Sequence, residues 1–309
     1  MPTARGFWTC WSARCRLALT EALAAGHAGP QAEVADSFLY RERDTLLTRA
    51  AWIDGLGLAV KAATIFPGNG ARGLPAVNGG MMLFDDANGV LEAVIDFHLV
   101  TKWKTAGDSL LAARRLARPD ARRILIVGAG SVARSLVEAY GAAFPRAEFA
   151  VWNRSPEGAR ALAAAFPGRV RVAPDLAAAV NEADIIASAT MATEPLIRGE
   201  WLRPGQHLDL IGAYRPDMRE ADDAALGRAR IFVDSRATTI GHIGELKIPI
   251  AAGVIAAGDV VADYGDLASG RFRRESDAEI TLFKNGGGAH LDLMTARYIL
   301  DAVRAAGQG

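Results

Sequence analysis

The part of the chain that constrains the fold most lies between about residues 123 and 235, where short apolar runs alternate with Ala-rich helical stretches. The runs include RILIVGAG, EFAVWNRS and DIIASAT, and helical stretches such as ARSLVEAYGAAF lie between them. This alternation is typical of a mainly parallel sheet covered by helices on both faces. The sequence therefore predicts an α/β fold built on a doubly wound parallel sheet.

A second pattern occupies residues 55–97. Its β-type segments LAVKAATIF, GMMLFD and VLEAVIDF are separated by turns rich in Gly, Pro and Asn. Such spacing favours antiparallel strands joined by hairpins. A polar joint, PDARR at 119–123, precedes the first strand of the parallel pattern. We therefore expect a smaller α+β domain before a boundary at about residue 119.

The turn after the first parallel strand carries Gly128, Gly130 and Ala133 in G-x-G-x-x-A spacing, directly before a helix. The first glycine permits the tight turn, the second lets a pyrophosphate approach the backbone, and a small third residue lets the helix pack closely. Exposed N–H groups at the helix start can then bind phosphates. This context predicts a Rossmann-type dinucleotide site whose contacts come from Gly128, Ala129, Gly130, Ser131 and Val132.

The end of the second parallel strand bears on which nucleotide binds. An acidic residue there usually accepts a hydrogen bond from the ribose of NAD, whereas an arginine can pair with the 2′-phosphate of NADP. This chain has Asn153, Arg154 and Ser155, with no carboxylate before Glu157. NADP(H) is therefore favoured, and NAD(H) is possible. The alternative is that Arg154 is only a solvated surface residue.

The composition of the chain argues against nucleic acid and membranes as binding partners. The chain has 35 basic and 35 acidic residues, so no overall charge attracts nucleic acid or an anionic membrane surface. We find no apolar window of about 18 residues, the length of a membrane span. Cys10 and Cys15 are too few for a disulfide framework, and Arg14 and Arg16 interrupt the apolar run of a signal peptide. We expect a cytoplasmic protein with a small-molecule substrate.

Lys61 lies inside an otherwise apolar strand. Lysine is rarely buried without a partner, because removing its charge from water costs free energy. A buried lysine with a function is one interpretation. A lysine on an edge strand that reaches water is the other.

The stretch 99–117 predicts an amphipathic helix with Thr101 as its N-cap, which would put Lys102 and Lys104 in the first turn. Positive charge is unfavourable there, because the helix N-terminus carries a partial positive charge. A bound anion would reverse that effect. The two lysines are too far apart around the helix to reach one target, so only one can face a binding site.

Taken together, these segments resemble the ornithine cyclodeaminase and mu-crystallin family, in particular its ketimine reductase members. The matching stretches run in family order over residues 55 to about 300, and they are VKAATIFPGN, GLPAVNGGMMLFD, TKWKTAGDSLLAARRLA, ILIVGAGSVA, WNRS, ADIIASATMATEPLI, GAYRPDMREADD, FVDSR and ITLFKNGGGAHLDL. The resemblance implies a homodimer with a Rossmann domain at 119–288 that binds NAD(P)(H). It also implies a substrate and dimerisation domain at 1–118, completed by a C-terminal helix at 289–309.

The resemblance also implies roles for individual residues. Lys61 matches the active-site lysine, and Lys104 stands where the family more often has a carboxylate-binding arginine. Lysine lacks the two-pronged geometry of arginine. A further carboxylate-binding arginine is expected from the N-terminal part, with Arg41 as the first candidate and Arg43 and Arg49 as alternatives. Thr190 is expected near the nicotinamide, and its neighbours Ala189 and Met191 are expected to contact the cofactor.

One departure from the family bears on the activity. Ornithine cyclodeaminases have an aspartate soon after the glycine of the fifth-strand motif, but this chain has Tyr214 there, while Asp217 and Glu220 resemble turn and helix-start residues. The resemblance therefore favours reduction of a C=N bond next to a carboxylate, as in an amino-acid-derived cyclic imine such as pyrroline-2-carboxylate or piperideine-2-carboxylate. The alternatives are a cyclodeaminase with bound NAD, reductive amination as in alanine dehydrogenase, and a non-catalytic, ligand-binding mu-crystallin-like protein.

The five histidines form no ligand-type cluster, so no metal site is expected. His290 in GGGAHLDL is expected to have a structural role at a helix start, with an approach to the cofactor as the alternative. Asp292 lies near the same helix start, where a carboxylate interacts favourably with the helix dipole whatever its function.

Overall fold

The structure is a computed structural model, and it describes residues 12–307. Cys10, one of the two cysteines that indicated the compartment, lies outside those residues. The described chain divides into two compact units, one of residues 21–104 and 288–307 and the other of residues 12–20 and 105–287. The first is called here the antiparallel unit and the second the parallel unit.

The elements of the described chain are as follows. Its α-helices are α1 (Ala13–Ala28), α2 (Phe97–Leu116), α3 (Ser131–Ala143), α4 (Pro156–Ala165), α5 (Leu176–Glu182), α6 (Asp223–Arg228), α7 (Arg236–Thr239), α8 (Gly244–Ala251) and α9 (Ala289–Gly307). Its strands are β1 (Glu33–Arg41), β2 (Asp44–Ile53), β3 (Gly57–Ile65), β4 (Val77–Phe84), β5 (Leu91–Asp96), β6 (Arg123–Val127), β7 (Glu148–Trp152), β8 (Val170–Val172), β9 (Ile185–Ser188), β10 (His207–Leu210), β11 (Ala229–Val233), β12 (Val260–Ala262) and β13 (Ile280–Lys284).

The antiparallel unit is built on a sheet in which β1 to β5 pair in chain order. The sequence predicts β3, β4 and β5 and their antiparallel pairing, which the structure confirms. It does not predict β1, because every residue of that strand is exposed and no buried face imposes an apolar alternation.

One face of this sheet carries α9, which packs on β1 to β4. Residues that are neighbours across the strands line that face in a single row, and they are Asp36, Arg49, Lys61, Met81 and Ile95. The row brings two basic side chains side by side beneath the helix. Large apolar side chains are exposed on the opposite face of the sheet, and they include Leu39, Trp52, Met82 and Val94.

The start of α2 differs from the prediction. The helix begins at Phe97, directly after β5, and the side chain of Asp96 accepts a hydrogen bond from the backbone N–H of Leu99 at 2.8 Å. Lys102 and Lys104 therefore lie in the second turn. The prediction that they occupy the first turn is wrong, because the capping residue is Asp96 and not Thr101. A cost from the helix dipole does not apply to them, since that effect is confined to the first turn.

The parallel unit is built on a sheet in the order β12-β11-β13-β10-β9-β6-β7-β8, and its ladders are parallel. This confirms the predicted doubly wound α/β fold. Strand order reverses between β6 and β9, and ligands of such sheets bind outside the carboxyl ends of the strands at that point. The first strand of the unit therefore ends where a ligand site is expected.

The core of the parallel unit lies on both faces of its sheet. Alternate residues of β6 point to opposite sides, so that Leu125 and Val127 join one apolar cluster while Ile124 and Ile126 join the other. This explains the continuous apolar run in the sequence. Among the described residues, no helix is both long and apolar enough to cross a membrane.

The division between the two units falls inside α2, between Lys104 and Thr105. The sequence places the boundary later, at the polar joint near residue 119. A continuous helix carries the chain from one unit into the other, so composition changes only after the helix ends. The domain boundaries proposed from the sequence stay a prediction.

Candidate active site

The glycine-rich turn follows β6 in the parallel unit. Gly128 has a φ of 106°, which side chains rarely adopt, and a Cβ there would lie 2.6 Å from the carbonyl oxygen of Ala189. A Cβ at Gly130 would have no neighbour within 4 Å among the described residues. The first glycine is thus required by the turn, and the second leaves its surroundings open for a ligand to reach the backbone.

The start of α3 suits an anion. Gly130 is the N-cap, and no side chain of residues 12–307 caps the helix, which begins with Ser131 and Val132. The first backbone N–H groups of a helix have no partners within it and carry partial positive charge. A pyrophosphate would fit these donors, with Ala129 and Gly130 bordering it from the turn. These residues could hold a dinucleotide as the sequence predicts.

At the end of β7, one positively charged side chain has no hydrogen-bond or ion-pair partner among the described residues. The side chain of Asn153 donates to the carbonyl oxygen of Ser155, and the hydroxyl of Ser155 caps α4 and donates to Glu157 at 2.9 Å. Arg154 is exposed, and no hydrogen bond or ion pair joins it to the described residues. Of these three residues, Arg154 is the one whose side chain remains available to an anionic ligand.

Thr190 lies in the segment that follows β9, between Ala189 and Met191. Its side chain lies close to Gly128, since the Cγ2 atom would be 3.4 Å from a Cβ built there. Both its backbone N–H and its hydroxyl donate to Oε1 of Glu220, at 2.7 and 2.8 Å. The hydroxyl proton of Thr190 is therefore already committed, and its role near a nicotinamide stays a prediction.

Glu220 joins the ends of two strands. Its Oε1 also accepts from the hydroxyl of Ser188 at 2.6 Å, and its Oε2 accepts from the backbone N–H of Gly212, beyond β10, at 2.6 Å. The side chain is fully buried. It lies in a bend just before α6, as the sequence suggested, but its side chain does more than end a turn, because four donors from the strand ends converge on it. Asp217 is exposed and pairs with Arg215, as a turn residue would.

A second buried acidic residue, Glu245, holds the backbone at Glu220 in place. Glu245 accepts from the backbone N–H groups of Glu220 and Ala221, at 2.8 and 3.0 Å. Burial, with the nearby charge of Glu220, raises the pKa of Glu245 to about 7. Lys284, also buried, donates to the carbonyl oxygens of Leu210 and Asn285. Sequence reasoning missed this network, although a lysine inside the apolar run ITLFK signals a buried polar group.

In the antiparallel unit, Lys61 is buried and fully partnered. Its Nζ donates to Oδ1 of Asp292 at 2.9 Å and to the hydroxyl of Thr101 at 3.1 Å, and it lies 4.7 Å from the centre of the Phe97 ring. The sequence-based choice between a buried lysine and an edge lysine is thereby decided in favour of burial. The partner is Asp292, a residue that the sequence assigned only to a helix start.

The electrostatics of this pair are set by its surroundings. Burial lowers the pKa of Lys61, against the opposing effect of Asp292, and the positive charges of Lys104 and Arg49 lower it further. Burial by itself would raise the pKa of Asp292, but Lys104, Lys61 and Arg49 outweigh it and hold that pKa below its usual value. Asp292 is therefore a carboxylate in an environment with more positive than negative charge.

Lys104 lies in the same cluster. It is 8% exposed, and its Nζ makes no hydrogen bond and no ion pair within 4 Å with the described residues. Its charge nevertheless reaches Asp292, Lys61 and His290. Lys102 lies apart from this cluster, with its Nζ 4.6 Å from the centre of the Trp103 ring. Of the two lysines, Lys104 is the one that belongs to the cluster.

A third cation of the cluster is Arg49, which lies directly opposite Lys61 in the pairing of β2 with β3. It contacts both carboxylate oxygens of Asp36 at 2.6 to 3.0 Å. Arg41 is exposed at the end of β1 and pairs with Asp44 at 3.0 Å. The structure therefore places Arg49, one of the alternatives, beside Lys61 and Asp292. A substrate-binding role for Arg41 stays a prediction.

His290 completes the surroundings. It is the second residue of α9, and its ring packs edge-on against that of His27 with centres 5.3 Å apart. Burial, together with the charge of Lys104, lowers the pKa of His290 to about 4. The imidazole is therefore neutral near pH 7. No group of three or more metal-binding side chains occurs among the residues that the structure describes.

The parallel unit thus defines a dinucleotide-binding α/β protein, and the antiparallel unit adds a buried cluster of cations around one carboxylate. The chain belongs to the ornithine cyclodeaminase/mu-crystallin family, whose model matches residues 41–307. This confirms the resemblance drawn from the sequence motifs.

Individual relatives agree with this assignment. The chain is 56% identical over 284 residues to a Delta(1)-pyrroline-2-carboxylate reductase of Paracoccus denitrificans, covering 90% of each protein. The structure is similar to that of Thermococcus litoralis Delta(1)-pyrroline-2-carboxylate reductase in complex with NADH and L-proline, with a TM-score of 0.86, 27% identity and coverage of 97% and 95%. It is also similar to an archaeal alanine dehydrogenase dimer with bound NAD, with a TM-score of 0.84, 28% identity and coverage of 96% and 93%.

Proposed function

We propose that the protein is an NAD(P)H-dependent reductase of a C=N bond adjacent to a carboxylate, acting on a cyclic imine such as pyrroline-2-carboxylate or piperideine-2-carboxylate. The observation that carries this proposal is the buried cluster of Lys61, Lys104 and Asp292 in a chain that is 56% identical to a pyrroline-2-carboxylate reductase. Besides hydride from the nucleotide, reduction of such an imine requires a site that binds its carboxylate beside a proton donor.

The nucleotide is assigned to the parallel unit. Its pyrophosphate would be held by the turn and helix start, and the residues involved are Gly128, Ala129, Gly130, Ser131 and Val132. Asn153, Arg154 and Ser155 would border the ribose of the adenosine, and uncommitted Arg154 supports a preference for the 2′-phosphate of NADP(H). Since the Thermococcus relative was solved with NADH, use of NAD(H) is the alternative. The bound reduced nicotinamide supplies the hydride.

The antiparallel unit is assigned to the substrate. Lys104 pairs with the carboxylate, because it is a buried cation whose Nζ has no hydrogen-bond partner among the described residues. Lys61 first donates its proton to the imine nitrogen, and the carbon of the protonated imine then accepts hydride, so that the C=N double bond becomes a CH–NH single bond. A lowered pKa suits Lys61 to this role, because it makes the proton easier to give up near neutral pH.

Reductive amination of a 2-oxo acid is a second candidate, and the similarity to an archaeal alanine dehydrogenase favours it. Oxidation of NADPH and of NADH should be followed with pyrroline-2-carboxylate, piperideine-2-carboxylate, and pyruvate plus ammonia. We expect turnover of a cyclic imine that is well above turnover of pyruvate. Turnover confined to pyruvate plus ammonia would support the second candidate. Ammonia release from ornithine with no net change in cofactor would support a cyclodeaminase.

We further propose that the protein is a cytoplasmic homodimer. Two observations support a dimer: the exposed apolar side chains on the open face of the antiparallel sheet, and the likeness to a relative described as a dimer. Analytical ultracentrifugation should then give about twice the chain mass of 32.7 kDa. A Leu39→Lys and Val94→Lys double variant should sediment as a monomer if that face is the interface.

A further inference from the structure

Two polar atoms of the cluster around Lys61 have no hydrogen-bond partner among the described residues. One is the Nζ of Lys104, and the other is the Oδ2 of Asp292, which is buried. The other oxygen of Asp292 is occupied by Lys61. Leaving a buried charged group without a partner is costly, so a ligand that satisfies both atoms at once would gain a large part of its binding energy there.

The two atoms need hydrogen-bond partners of opposite kinds. Lys104 Nζ is a cation that requires an acceptor, and Asp292 Oδ2 is a carboxylate oxygen that requires a donor. The charge of Lys104 is close enough to Asp292 to be the largest of the cationic effects on that carboxylate. A ligand that places an anion and an N–H group on adjacent atoms therefore matches the pair, whereas a simple carboxylate satisfies only Lys104.

The orientation of Asp292 is fixed by its neighbours. Oδ1 accepts from Lys61, which in turn donates to Thr101, and the residue lies in the first turn of α9, where a carboxylate is favoured. The side chain therefore cannot turn its free oxygen away without breaking the contact with Lys61. Oδ2 is a preset acceptor.

We propose that Asp292 is the specificity-determining residue of the site, its Oδ2 accepting the N–H of a protonated imine whose carboxylate is bound by Lys104. This inference rests on the proposed function, and it adds a reason for the choice of substrate. A 2-oxo acid turns a carbonyl oxygen toward Oδ2, and two acceptors repel each other. A cyclic imine, once protonated, turns a donor toward it. Asp292 therefore selects nitrogen over oxygen at the reacting carbon.

Two planar five-membered ligands test this selection without any turnover. Pyrrole-2-carboxylate carries an N–H next to its carboxylate, and furan-2-carboxylate carries a ring oxygen in the same place. Dissociation constants should be measured by calorimetry on the full chain. We expect the wild-type protein to bind the pyrrole about tenfold more tightly, which corresponds to about 1.4 kcal/mol. Equal affinity of the wild-type protein for the two ligands would overturn the proposal. This measurement requires no variant.

The decisive variant is Asp292→Asn. The amide oxygen can still accept from Lys61, and the NH₂ group then takes the place of Oδ2 and faces the ligand as a donor. The preference for pyrrole over furan should therefore vanish or reverse. Thr101→Val is the matched control, because it removes the other partner of Lys61 and leaves Oδ2 in place. This substitution should weaken the binding of both ligands equally and leave the ratio of their dissociation constants unchanged.

The outcomes also separate this inference from the proposed reaction. Suppose that the Asp292→Asn variant is folded, as shown by a cooperative melting transition, and still has the wild-type ratio of dissociation constants for pyrrole and furan. That result would overturn the inference, even if the protein reduces imines. A ratio that collapses in that variant supports the inference, even if the turnover assays show another reaction. A ratio lost equally in Thr101→Val would assign the selection to Lys61 and contradict the role of Asp292.

Discussion

Lys61 Nζ lies 2.9 Å from Asp292 Oδ1, although the two residues are 231 positions apart in the sequence. The contact joins β3 to the first turn of α9, and both side chains are almost entirely buried. Removing one partner of a buried ion pair leaves the other charge uncompensated. The pair therefore bears on stability as well as on chemistry.

Lys61→Met should abolish imine reduction and lower the free energy of unfolding by about 3 to 5 kcal/mol, because the buried Asp292 loses its hydrogen-bonded partner and keeps only the longer-range charges of Lys104 and Arg49. The double variant Lys61→Met and Asp292→Leu should recover much of that stability without recovering activity. Thermal unfolding of both variants checks this. If the single variant is as stable as the wild-type protein, the pair does not carry the energy assigned to it.

Lys104→Met should raise the substrate KM by about tenfold or more, or abolish turnover, because a charge-assisted contact to the carboxylate is lost. Binding of NADPH, followed by its fluorescence, should be unchanged. Lys102→Met is the control, since Lys102 contacts Trp103 and lies outside the cluster. Equal effects of the two substitutions would show that the roles of the two lysines have been assigned wrongly.

Arg154→Gln should raise the KM for NADPH by about tenfold while the KM for NADH changes little, because only NADPH carries the 2′-phosphate. Arg160→Gln is a matched control on α4, where the exposed Arg160 pairs with Glu157. Steady-state kinetics with both nucleotides decide the matter. A parallel loss with NADH and NADPH would exclude phosphate recognition by Arg154.

Glu220→Gln should weaken nucleotide binding by about tenfold. The amide NH₂ replaces one of the two accepting oxygens, so either the donors of Thr190, which lies beside the glycine-rich turn, or the N–H of Gly212 loses its acceptor. Fluorescence titration with NADPH measures this directly. Asp217→Asn serves as the control, because Asp217 is exposed and Arg215 is its only side-chain partner among the described residues. An unchanged dissociation constant for Glu220→Gln would contradict a positioning role.

The buried Asp209 should make the stability of the protein depend on pH. Burial raises its pKa to about 7, in spite of hydrogen bonds from Tyr140 and Ser109. The folded protein then binds a proton that the unfolded chain has released, so this contribution to stability is complete below the ordinary pKa of 3.8 and is lost as the pH rises through about 7. Its slope is at most about 1.4 kcal/mol per pH unit.

Asp209→Asn removes this contribution. Between about pH 5 and 7 the melting temperature of the variant should therefore fall less steeply than that of the wild-type protein. Glu245, whose pKa burial also raises to about 7, keeps part of the slope in both proteins. Identical slopes for the two proteins would mean that Asp209 is ionised throughout.

The parallel unit was largely predictable because its signals are local. The turn at Gly128 and Gly130 and the apolar runs of β6 and β9 each report on their own few residues. Glu220 was not predictable, because its role depends on donors from the ends of β9 and β10 that only the folded sheet brings together. The apolar run before Lys284 signals that this lysine is buried, but its acceptor on Leu210 is brought to it only by the folded sheet.

The antiparallel unit was predictable in part. A lysine inside the apolar strand β3 signals a buried charge, and Lys61 is one. Its partner was hidden, because an aspartate in the first turn of a helix has an adequate local explanation. Arg49 could not be separated from Arg41 without the register of β2 against β3, which places Arg49 opposite Lys61. The start of α2 was misplaced because β5 passes into the helix without a turn.

The central claim is tested most directly by incubating the protein with pyrroline-2-carboxylate and NADPH or NADH while product and cofactor are measured together. The account predicts one proline formed for each nucleotide oxidised, with the activity lost in Lys61→Met and nucleotide binding retained. Absence of proline formation by a folded protein that binds the nucleotide would contradict it.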